Sequence, residues 1–184
     1  MSAAQLWDIC QQWSAGLEAM HAHGVAHCDL KPGNVFVSQA GSSWRAALGD
    51  LGTSRNLSAS RLSALVNSMP ELNAMSVRYA APELVDVFQR AVPLDPGLFF
   101  PVDMYAAGVM LGECLARAVP WAGMGMQDIV RAVCGGARPS VESLGQEARD
   151  LVQAAWQEDP GRRPPAATFR QRCAGQYVAV GGLP

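Results

Sequence analysis

Lysine is almost missing from this chain. Lys31 is the single one, and arginine supplies the rest, so no reaction needing a second lysine can run within these 184 residues. Charge is sparse: 16% of residues are charged and the net charge is −2, which leaves no basic surface for nucleic acid. Cysteine never occurs in C-x-x-C spacing. Cys10, Cys28, Cys114, Cys134 and Cys173 are dispersed and odd in number, a pattern that argues for reduced thiols in a cytoplasmic or nuclear setting. Long apolar runs are lacking too. The most apolar stretch, Ala106 to Met126, is interrupted by Glu113, Arg117 and Pro120, too broken to span a bilayer. No charged region followed by an apolar run opens the chain, so no signal peptide is expected. What is present is 49% hydrophobic residues, enough for a core, in a length that fits one domain or one large lobe.

Ser2-Ala3-Ala4-Gln5 is a capping-box pattern, and Leu6, Ile9, Cys10, Trp13, Leu17 and Met20 follow at helical spacing until Gly24. Residues 34–37 and 46–48 read as two strands around a turn at 39–43, which sets Asp29, Lys31 and Asn34 on a loop before the first strand and Asp50 just after the second. Residues 53–75 hold no sustained periodicity and carry Ser54, Ser58, Ser60, Ser63 and Ser68, the pattern of a surface segment. Beyond Ala81 the chain reads as helical: a short helix at 85–89, a Pro/Gly loop at 95–101, a buried helix at 103–116, and amphipathic helices at 127–133, 146–157 and 166–173. Residues 176–184 read as a flexible tail. The fold class is mainly α with a small β-hairpin. His21 and His23, at i and i+2, share no helix face, so no transition-metal site is expected there.

Lys31 lies in His27-Cys28-Asp29-Leu30-Lys31-Pro32-Gly33-Asn34. An acid, an amine and an amide at this spacing suit phosphate chemistry: the acid holds or deprotonates a hydroxyl, the amine offsets phosphoryl charge, and the amide oxygen can hold Mg²⁺. This stretch resembles the catalytic loop of protein kinases, H-R-D-L-x-x-x-N. Gly49-Asp50-Leu51-Gly52 is similar to their D-F-G motif, and Ala81-Pro82-Glu83 matches A-P-E, in the right order. Asp103 to Gly108 resembles the start of the central helix of the kinase C-terminal lobe. Trp156 to Pro164 resembles W-x-x-D-P-x-x-R-P, common in the tyrosine-kinase-like group. The similarity covers nearly the whole chain but matches only that lobe: no G-x-G-x-x-G is present, and the one lysine is already placed. The expected organisation is a C-lobe over residues 1–175, with catalytic loop 27–34 and activation segment 50–83, and the expected source is a truncated or fragmentary chain whose N-lobe is absent.

The resemblance implies roles. Asp29 orients the acceptor hydroxyl and takes its proton, Lys31 offsets charge on the γ-phosphate, and Asn34 and Asp50 bind Mg²⁺. Ser76 takes the place of the threonine that contacts the catalytic loop, Glu83 pairs with Arg163, and Asp103 anchors the central helix. ATP and Mg²⁺ are the implied cofactors and a Ser/Thr hydroxyl of a protein the implied acceptor. Cys28 stands where an arginine that grips an activation-segment phosphate is usual, and a thiol cannot do that. His27 reads as a core histidine rather than a base. Two other readings are open at this stage: a non-catalytic scaffold derived from a kinase, and a small-molecule phosphotransferase of similar fold.

Overall fold

A computed structural model describes residues 1–41, 43–57 and 76–181. The serine-bearing stretch with Ser58, Ser60, Ser63 and Ser68, and the middle of the expected activation segment, lie outside the described residues. Helix α1 spans Ala3–Ala22. Its start is the predicted capping box: Ser2 Oγ accepts the Gln5 N–H at 3.2 Å, and Gln5 Oε1 accepts the Ser2 N–H at 2.8 Å. Its end is Gly24, whose φ of +72° is left-handed and free of Cβ strain. Trp7, Cys10, Trp13 and Leu17 line its buried face.

Strands β2 (Val35–Ala40) and β3 (Ser43–Leu48) form an antiparallel hairpin in register from Val35↔Leu48 to Ala40↔Ser43. Each is longer than the apolar residues indicate, because backbone pairing continues to Ala40↔Ser43; along β3 half-buried positions alternate with exposed ones. Asn34 precedes the strand, within a 3₁₀ turn at Pro32–Asn34. Gln12 of α1 pins the hairpin, donating to the Trp44 carbonyl at 3.1 Å and accepting the Ala46 N–H at 2.9 Å. A second pair, unpredicted, joins β1 (Val25–Ala26) to β4 (Arg55–Asn56). Two residues a side carry no periodicity to read, and β4 falls in the stretch read as surface loop.

Helix α2 is Pro82–Gln89 and α3 is Phe99–Ala116. Helix α3 starts four residues before the predicted Asp103, since Pro101 falls in the first turn, where a missing N–H costs no bond. Every residue from Val102 to Gly112 is buried. By length and composition Pro96–Ala116 could cross a membrane, but 67% of its apolar 18-residue window is buried inside the fold, the mark of a core helix. The remaining α-helices among the described residues are α4 (Met126–Cys134), α5 (Gln146–Ala155) and α6 (Ala166–Ala179). Helix α5 stops before the predicted Gln157 because Trp156 leaves helical geometry. Helix α6 runs through residues 176–179, assigned to the tail by sequence, because Tyr177 packs against the core there. Helices α1 and α6 lie along each other, with the rings of Trp13 and Phe169 5.8 Å apart. Helix α3 crosses α5 at Gly108, where an added Cβ would come within 2.8 Å of the Ala155 Cβ. The lobe is mainly helical, with a small hairpin at one end, as the sequence indicates.

Candidate active site

The 3₁₀ turn after Lys31 and the 3₁₀ turn Ser76–Tyr79 bring four polar side chains to one place. Asp29 is the hub. Its Oδ2 accepts from Lys31 Nζ at 2.6 Å and from Asn34 Nδ2 at 3.1 Å, and its Oδ1 accepts from Ser76 Oγ at 2.6 Å. Lys31 Nζ also reaches Ser76 Oγ at 3.2 Å. The Asp29 and Lys31 side chains are only 13% and 16% exposed, so their attraction is screened less than a surface pair's would be. Asn34 is buried, and its Nδ2 also donates to the Asp29 carbonyl at 2.8 Å. Both bonds described for this amide come from the nitrogen.

Asp50 stands at the end of β3, exposed, with a left-handed φ of +57°. The backbone before it is tied to the loop twice: the Gly49 N–H donates to the Asn34 carbonyl at 2.9 Å, and the Gly49 carbonyl meets His27 Nε2 at 3.1 Å. His27 is fully buried, and its Nδ1 accepts the Asp29 N–H at 3.3 Å. These bonds assign the ring proton to Nε2, since Nδ1 must accept. His27 therefore links the Asp29 segment to the Asp50 segment, a structural role for a core histidine.

Asp103, at 1% exposure, anchors the loop from beneath. Its two oxygens accept the His27 N–H at 2.7 Å and the Cys28 N–H at 2.8 Å. His21 Nε2 lies 2.9 Å from the same carboxylate. Cys28 needs this hold, since its φ of +67° is unusual for a residue with a Cβ. Burial, and then the Asp103 charge, push the Cys28 thiol well above its ordinary range, so it is a neutral thiol rather than a nucleophile.

Farther off, Glu83 and Arg163 meet in a two-pronged pair, Nη1–Oε1 at 2.5 Å and Nη2–Oε2 at 2.9 Å. Arg163 also donates to the carbonyls of Gln157 and Pro101, both at 2.9 Å, and stacks over the Tyr105 ring. Its side chain has no exposure. The pair fastens α2 to the loop before α6. The structure thus brings together Asp29, Lys31, Asn34 and Ser76, seats Asp50 beside them through its backbone, and places Asp103 and the Glu83–Arg163 pair as supports. Sequence reasoning missed His21 as a partner of Asp103, and Tyr79, whose hydroxyl donates to Glu113 at 2.7 Å. Neither carries a local signal; both depend on residues more than thirty positions away.

A family model of the protein kinase domain matches residues 1–177, and the chain belongs to that family. It is similar to a probable serine/threonine-protein kinase of Dictyostelium discoideum, at 28% identity over 89% of this chain and 11% of the relative. A probable LIM domain-containing serine/threonine-protein kinase of the same organism is 29% identical over 90% of this chain and 22% of the relative. The human ankyrin repeat and protein kinase domain-containing protein 1 is 28% identical over 85% of this chain and 20% of its own length. The chain spans less than a quarter of each of these relatives.

Proposed function

We propose that this chain is the C-terminal lobe of a serine/threonine protein kinase of the tyrosine-kinase-like group, and that in the complete domain it moves the γ-phosphate of ATP to a protein hydroxyl. The observation that carries the reading is the Asp29 carboxylate, held from three sides by Lys31, Asn34 and Ser76. A base needed only to steer a hydroxyl and receive its proton late gains from fixed placement more than from a raised pKa, because phosphoryl transfer has a loose transition state. Lys31 would stand beside the transferring group and offset its charge. Ser76 holds both Asp29 and Lys31, so the segment that receives the peptide also orders the base.

Mg²⁺ fits the donors present. Asn34 and Asp50 offer hard oxygens, the kind this ion prefers. No group of three His, Cys, Asp or Glu side chains able to hold a metal exists among the described residues, which suits an ion whose remaining ligands are phosphate oxygens and water. When bound, the ion draws charge off the phosphates. The dispersed thiols support a cytoplasmic setting. The W-x-x-D-P-x-x-R-P stretch supports the group assignment.

Paramagnetic broadening by Mn²⁺ with ATP tests the reading on the chain itself. Amide and side-chain resonances of Asn34 and Asp50 are expected to broaden first, and Asp50→Asn to abolish the effect. Broadening centred elsewhere, or unchanged in Asp50→Asn, contradicts it.

A further inference from the structure

A cavity of about 470 Å³ lies where the last turns of α1, the first turns of α3 and the loop into α6 converge. Asp29, Lys31, Asn34, Asp50 and Ser76 all lie outside it. Its volume falls within the roughly 300–1,000 Å³ typical of small-molecule sites. Phe100, Met104 and the prolines of the loop before α6 supply apolar walls, and the only charged or polar side chains in the lining are Glu18, His21 and Arg163. The His21 and Phe100 rings lie against each other, centroids 4.4 Å apart, and give the cavity aromatic surface.

Two of the three polar walls are already engaged. Arg163 is fully buried and gives its N–H groups to Glu83, Gln157 and Pro101, so little is left for an anion. His21 Nε2 meets Asp103 at 2.9 Å, and a carboxylate can only accept, so the ring proton sits on Nε2. The Nδ1 of the neutral ring is then an acceptor, and no described residue bonds to it. Glu18, three residues before His21 on the same helix face, has one partner. Arg170 stands 3.4 Å away with both side chains partly in solvent, a weak surface contact. The free capacity of the cavity is thus a carboxylate and an imidazole acceptor beside an apolar, partly aromatic surface. A flat apolar body with an ammonium group matches that set, because its N–H donors suit both acceptors and its charge suits Glu18.

We propose that this cavity binds a small aromatic amine, and that its occupancy is felt at the catalytic loop. The route is short. His21 touches the cavity and bonds Asp103, and Asp103 accepts the His27 and Cys28 N–H groups. The ligand site is separate from the phosphotransfer centre.

Tryptamine is titrated into the chain carrying ¹³C-methyl methionine and ¹⁵N amides. Tryptophol, the uncharged alcohol of the same body, and indole-3-propionate, its anionic counterpart, are the controls. The Met104 methyl, buried in the cavity wall, is expected to shift saturably, and the His27 and Cys28 amides to shift with the same midpoint. Affinity is expected to be about tenfold weaker for tryptophol and for Glu18→Gln, and weaker still for indole-3-propionate. Ala167→Trp, at an exposed wall position, fills the cavity with an indole of its own and is expected to block tryptamine; it decides the matter should Glu18→Gln unfold. An unmoved Met104 methyl, silent His27 and Cys28 amides, equal affinity for tryptamine and tryptophol, or undiminished binding by Ala167→Trp overturns the proposal. Such a result leaves the Asp29 reading standing, because neither ATP nor an acceptor hydroxyl enters the experiment.

Discussion

Arg163 shows how much a single residue can hold. Its guanidinium is fully buried and makes bonds to Glu83, Gln157 and Pro101. Removing one partner strands the other charge in a low-dielectric interior, so Arg163→Ala is expected to cost about 3–5 kcal/mol in urea unfolding. The cysteines yield a second expectation. Cys114 and Cys173 ordinarily ionise near 9, and burial pushes both to about 12. Below pH 9 folded and unfolded chains both keep these protons and the stability is whole. Above it the unfolded chain ionises first, and stability falls as pH rises toward 12. Urea midpoints taken between pH 8 and pH 11 check the slope. Iodoacetamide at pH 8 is expected to label the exposed Cys134 before the buried Cys10 and Cys173. At this scale the sequence was most legible where one residue carries its own chemistry. Asp29, Lys31 and Asn34 announce themselves by spacing, whereas the bond of His21 to Asp103 spans 82 positions and leaves no local trace.

At the scale of elements, boundaries marked by a cap or a proline were readable and boundaries set by packing were not. The capping box at Ser2 fixed the start of α1, and Ser2→Ala is expected to cost about 1 kcal/mol, seen as a lowered urea midpoint. The end of α6 depends on Tyr177 meeting the core, and the β1–β4 pair on residues thirty positions apart; neither follows from periodicity. Gly108 shows a constraint visible only in three dimensions. In sequence it is a small residue in an apolar helix, but it is where α3 and α5 touch. Gly108→Ala drives a methyl to within 2.8 Å of Ala155 and 3.2 Å of the Val152 carbonyl. Helix propensity favours alanine there by about 1 kcal/mol, and overpacking opposes it by about 1–3 kcal/mol. A net loss of stability is expected, and a gain would show that the two helices can separate at no cost.

For the whole molecule, the helical lobe serves to hold a short loop still. Helix α3 supplies Asp103 beneath the loop, the hairpin carries Asp50 back to it, and the Glu83–Arg163 pair fastens the segment that ends in α2. The general plan was legible because three short motifs occur in order on elements of the right kind. The contact of Ser76 with the loop of Asp29, Lys31 and Asn34 was expected from the motif; which atoms meet, Ser76 Oγ on Asp29 Oδ1 across 47 positions, was not legible, because no local pattern encodes it. On the proposed function, Asp29 handles the acceptor's proton while other groups hold the nucleotide. Phosphotransfer by Asp29→Asn, in a catalytic domain that includes this lobe, measures it most directly. The rate to a serine peptide is expected to fall about 10²–10⁴-fold, with the affinity for Mg-ATP nearly unchanged. A rate close to that of the unaltered domain would contradict the account.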